Sequence, residues 1–172
     1  MVETTLVYSL GDYVIHRNYG VGQINVIESR PFNGDQVDCF RVKTENGEYW
    51  FPTEDADNPR VRSAASHELV LKAIELLQRA PQGLENDTLE WKERIDGVQD
   101  KGGFLDISRL VRDLFGLKTH KRLNRTQQQA LINLQNRLLM EWSATTNVSE
   151  KTIKSKLKTY LQVSNANFLT SA

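Results

Sequence analysis

Up to Ser63 the apolar side chains recur mostly at alternate positions in short runs, and from Ser66 onward they recur every third or fourth residue. The first period marks strands with one buried face, the second amphipathic helices. Strands are predicted over 13–16 and 23–27, on either side of the loop 17–22. A third is placed over 37–44, with Val37, Cys39 and Arg41 on one face and Phe40 and Val42 on the other. Asn33-Gly34 and Asn46-Gly47 are hairpin dipeptides, since a tight I′ turn needs positive φ at both central residues. The second turn leads into 48–51, which Pro52 ends, and a last short strand is placed over 60–63. Five short strands joined by tight turns predict a small, strongly bent sheet or barrel.

The remainder predicts about five helices. Leu69, Val70, Ala73, Ile74 and Leu77 form one apolar face. Asp87 and Glu90 have the spacing of a reciprocal cap for a second helix, and Gly102-Gly103 breaks the chain before a third. That third helix buries Leu105, Ile107, Leu110, Val111 and Leu114, with Gly116 expected to terminate it. Asn124 and Gln127 cap a long fourth helix with Leu131, Leu134, Leu138 and Leu139 as its stripe, and Trp142 continues it as a core residue. Asn147 and Glu150 are read as the cap of a fifth, buried through Ile153, Leu157 and Leu161. The expected division is a β domain over 1–65, a helical domain over 66–162 and a frayed polar tail over 163–172.

Charge sharpens this division. The net charge is zero, yet residues 1–65 hold 6 Lys+Arg against 10 Asp+Glu, and residues 66–172 hold 16 against 12. From Lys118 to Lys158 nine cations face only Glu141 and Glu150. A one-sided basic surface suits a polyanion through counterion release, although a lysine-rich helical surface also serves solubility alone.

Catalytic chemistry finds little footing. His16, His67 and His120 are scattered, and one cysteine, Cys39, excludes both an internal disulfide and a cysteine-rich zinc site. No phosphate loop or nucleophile elbow occurs, and Gly20-Val-Gly22 lies between strands, where turn geometry explains it. No enzyme activity, metal or cofactor is expected. No apolar run approaches the roughly 20 residues of a membrane helix, so the expectation is a cytoplasmic protein without membrane contact; a monomer is expected.

Gly11-Asp-Tyr-Val-Ile-His-Arg-Asn-Tyr-Gly-Val-Gly-Gln-Ile-Asn-Val-Ile-Glu-Ser-Arg30 resembles the opening of the CarD family, also called CdnL, an opening shared with the bacterial transcription-repair coupling factor. The likeness runs through Phe51-Pro52 and returns at Trp91-Lys-Glu-Arg94 and Ile107-Ser-Arg-Leu-Val-Arg-Asp-Leu114, covering about residues 9 to 145 in order. The resemblance implies a Tudor-like (SH3-like) barrel that binds the RNA polymerase β subunit, followed by a helical domain at the upstream edge of the melted promoter. It implies a transcription regulator that stabilises the open complex, with largely sequence-independent minor-groove contact. The barrel is expected to add a polymerase strand to one of its edges. Arg30 occupies the family's polymerase-contacting arginine position. Trp50, with Tyr49 beside it, stands where a second basic contact is expected, either as an aromatic anchor or as a half-buried barrel residue.

Trp91 divides the two lines of reasoning. Periodicity places Trp91, Ile95 and Val98 on one helical face, the pattern of a core tryptophan. The resemblance implies instead a DNA-contacting ring that wedges into the minor groove where stacking is already broken. Lys92 and Arg94 would then hold phosphates on the same turn, with Lys121, Arg122 and Arg125 clustered near the fourth helix N-terminus. The rival is a protein-only adaptor whose helical domain binds a second protein.

Overall fold

The computed structural model describes residues 7–171 apart from Ala56. β1 (Tyr13–His16) is followed by β2 (Gly20–Phe32), which turns through Asn33 (φ 52°) and Gly34 (φ 93°) into β3 (Asp35–Thr44). Gly47 then starts β4 (Gly47–Pro52), and β5 (Val61–Ser63) closes the series. All pairings are antiparallel and the order is β4-β3-β2-β1-β5, which makes β4 and β5 the sheet edges. Val14, Ile24, Phe40, Phe51 and Val61, one from each strand, share a single core with Tyr8 and Val42. Edge strands can reach one core only if the sheet curls, which gives the Tudor-like β domain. Gly22 permits the curl, because a Cβ there would lie 2.4 Å from the Val42 Cγ1. A bulge between Ile24 and Val26 marks where β2 leaves the core and continues as an exposed ribbon with β3.

Five helices make the second unit: α1 (His67–Leu77), α2 (Thr88–Lys101), α3 (Phe104–His120), α4 (Arg125–Thr146) and α5 (Glu150–Thr170). Compact units divide the chain into Met1–Ala64 and Ala65–Ala172. Helix α3 is central, with Ile107, Leu110, Val111 and Leu114 fully enclosed and the other four helices packed around it. Reciprocal caps start α2 (Asp87 with Glu90) and α4 (Asn124 with Gln127).

Three expectations fail. Gly116 does not end its helix, which runs to His120; it lies mid-helix because a Cβ would meet the Pro81 ring at 2.5 Å. Asn147 does not start the fifth helix but ends the fourth in the left-handed conformation (φ 55°), and Ser149 caps the fifth. Residues 163–172 are not a frayed tail, since α5 continues to Thr170. Ser164 is buried and donates its hydroxyl to the Arg79 carbonyl at 2.6 Å, and Asn167 Nδ2 donates to the Gln78 carbonyl at 2.7 Å. Polar composition hid these anchors, because what they satisfy is the carbonyl end of α1.

Candidate functional site

On β2, period two puts Glu28 and Arg30 on the same outward face, opposite Cys39 and Val37 of β3. The next pairing sets Trp50 of β4 across from Arg41 and Pro52 across from Cys39. The side chains of Glu28, Arg30 and Trp50 converge above the buried Cys39. Trp50 Nε1 donates to Glu28 Oε1 at 2.6 Å, and Arg30 Nη1 donates to the same oxygen at 3.2 Å. The Arg30 guanidinium lies 4.0 Å from the centroid of the Trp50 ring. The Trp50 and Arg30 hydrogen bonds hold the Glu28 carboxyl below the usual carboxylate range. Arg41 and Glu48 add a paired fork on the adjoining rows, with Nη2 and Oε1 at 2.7 Å. Burial, meanwhile, pushes the Cys39 thiol up, so it is an inert packing group.

This arrangement orders an aromatic ring and a cation while leaving both accessible: Trp50 is half-buried, and the Arg30 side chain is 45% exposed. The Trp50 ring lies outside the barrel core, half-buried and partly covered by Arg30. Glu28 is the organising residue that sequence reasoning missed. Its signal was present, because an acid two positions before Arg30 in a strand must share that arginine's face.

Tyr49 does not join this group. Its ring faces the opposite side of β4, 9% exposed, against His16 at 4.6 Å and stacked with Tyr19 at 5.6 Å. Adjacent strand residues point to opposite faces, so Tyr49 and Trp50 could not both face outward. Burial pushes the Tyr49 hydroxyl pKa up. His16 Nδ1 accepts the backbone N–H groups of Asn18 (3.0 Å) and Tyr19 (3.2 Å), which orders the Gly20 turn. Burial first, and Arg60 second, lower the His16 pKa, in keeping with an Nδ1 that accepts these two bonds.

In the helical unit the tryptophan is not a surface wedge. Trp91 is 2% exposed and belongs to the core with Ile95, and its Nε1 has no hydrogen-bond partner among the described residues. The helical period describes it correctly as core, and a ring so enclosed is not placed to enter a duplex. The outward side of α2 instead carries Leu89, 63% exposed, among Glu90, Lys92, Glu93 and Asp96.

The two cations on that helix are engaged. Lys92 Nζ pairs with Asp96 at 2.5 Å, and the Asp96 hydrogen bond raises the Lys92 pKa. Arg94 pairs with the fully buried Asp113, which also accepts from Arg112 Nε (2.7 Å) and the Gln82 N–H (2.9 Å). Arg94 therefore fastens α2 to α3, with 29% of its side chain still exposed. Of the remaining predicted contacts, Lys121, Arg122 and Arg125 are exposed at the α3–α4 corner, where Lys121 Nζ donates to the Leu84 carbonyl at 3.3 Å. Among the described residues no cluster of His, Cys, Asp and Glu is arranged to hold a metal, and no helix is long and apolar enough to cross a membrane.

Two comparisons bear on this geometry. Residues 8–64 match the CarD-like/TRCF RID domain. Across 153 residues, 86% of this chain and 98% of the relative, the sequence is 26% identical to the Bacillus subtilis (strain 168) protein named "Putative transcription factor YdeB".

Proposed function

We propose, from the premise that this chain belongs to the CarD-like family through its β unit, that it is a transcription factor that docks on RNA polymerase through the Arg30–Trp50 face. The match over residues 8–64 supports the partner, and the observation that carries the surface is the ordered Glu28–Arg30–Trp50 group. A preorganised aromatic and arginine pair is a common composition for an interface centre. The docking target is a lobe of the β subunit. Strand β4 is the longer of the two sheet edges and carries Trp50, so a polymerase strand adding there would lie beside that ring.

The helical unit then holds promoter DNA at the upstream edge of the bubble by phosphate contact rather than by a wedge. On α2 the surface carboxylates oppose phosphate, whereas Lys121, Arg122 and Arg125 present three exposed cations at one corner. Such contacts position without reading sequence. A preference of only about 1.4 kcal/mol for the open complex shifts its ratio to the closed one about tenfold, enough for a factor that performs no chemistry. The burial of Trp91 also favours a second reading, an adaptor whose helical unit binds protein.

Promoter-opening kinetics separate the two. With Lys121, Arg122 and Arg125 all changed to Gln, the first reading predicts loss of open-complex stabilisation while polymerase association is retained. Unchanged opening by that variant favours the adaptor.

A further inference from the structure

A trough of about 600 Å³ runs between α4 and α5, bounded at one end by the last turn of α3. Its floor is apolar: Phe115, Leu131 and Leu139 lie beneath, and Ile132 stands 54% exposed on α4. Its rim is cationic. Lys151, Lys154 and Lys158 of α5 follow at helical spacing along one face, and Lys118 of α3 stands opposite. No acidic residue lines the trough, and none of the four ammonium groups is ion-paired with a described residue. Like charges three and four residues apart repel along a helix, so a face of this kind gains when an anionic partner covers it.

We propose that this trough receives an acidic amphipathic helix of a partner protein. Charge complementarity selects an anion, and the floor selects its kind. A phosphate backbone gains nothing from Ile132 or Phe115, and protein–DNA interfaces are markedly polar. A helix can meet both demands, with apolar side chains at i, i+3, i+4 and i+7 on the floor and carboxylates against the rim. From Lys151 to Lys158 the rim rises about 10 Å, roughly two helical turns, which matches that four-anchor stripe. The site belongs to the helical unit alone and needs neither polymerase docking nor phosphate contact at Arg125.

The test uses the full chain and a fluorescein-labelled Glu/Leu peptide of about sixteen residues with Leu at those four spacings, read by fluorescence anisotropy. The parent binds it, and a scrambled peptide of equal composition does not. Ile132→Ser on the floor and the pair Lys154→Glu with Lys158→Glu on the rim each weaken binding about tenfold or more, with helical circular dichroism unchanged. No binding by the parent, equal binding of the scrambled peptide, or unaltered affinity in both variants overturns the proposal. So does a silent peptide alongside duplex DNA binding that the rim variant abolishes, which would make the trough a nucleic-acid site. A dimer in sedimentation that Ile132→Ser dissolves would make the occupant a second copy and overturns it too.

Discussion

Replacing Trp91 by Ala removes an enclosed ring beside Ile95, so the side chain's role reads out as stability. Lost transfer energy and the remaining cavity together predict a cost of about 3–5 kcal/mol in equilibrium urea unfolding. Trp91→Phe keeps much of the volume and removes an indole N–H without a described partner, so its cost falls well below that of Ala. A surface wedge would show the reverse pattern, with little change in stability for either variant. His16 supplies a pH dependence. Its native pKa is lowered by burial and Arg60, so the unfolded chain binds the proton more readily. Its contribution is complete above the unfolded value of about 6.5 and is lost as pH falls from there through the lower native value. Thermal unfolding between neutral and mildly acid pH checks the sign: His16→Gln should flatten that decline, since Gln does not titrate.

At the scale of elements, Asp113 and α5 carry the helical unit's specific fastenings. Asp113 is wholly buried and joins Arg94 of α2, Arg112 of its own helix and the N–H of Gln82. Asp113→Ala would leave Arg112, 3% exposed, without its carboxylate, and the expected loss is about 3–5 kcal/mol. Truncation after Gln162 is predicted to lower the melting temperature, because it removes the Ser164 and Asn167 bonds to the end of α1. An unchanged melting temperature would mean that this segment does not hold α1. These elements also show what the sequence made legible. Apolar period, the Asn33-Gly34 turn and the two reciprocal caps are local signals, so the strands, most helices and their starts could be read directly. Gly116 and Ser164 could not, because their roles depend on Pro81 and Arg79, far away in the chain. The site followed the same rule. Arg30 and Trp50 can be singled out from the sequence, but the Glu28 link between them requires the β2–β3–β4 register, and the Arg94–Asp113 pair cannot be read because Asp113 lies on another helix.

For the whole molecule, the acidic β unit and the basic helical unit have separate cores, so each surface can be altered without unfolding the other. Arg30 is exposed and already shares Glu28 with Trp50. Arg30→Glu places like charge beside Glu28 and reverses the sign of the proposed docking face. The direct test is a binding titration of RNA polymerase with the parent chain and the Arg30→Glu variant, with the helical-unit variant Lys154→Glu with Lys158→Glu as reference. Docking through the β unit predicts that Arg30→Glu weakens association about tenfold or more while the reference variant binds as the parent does. Parental affinity in Arg30→Glu, with loss confined to the helical variant, would contradict it.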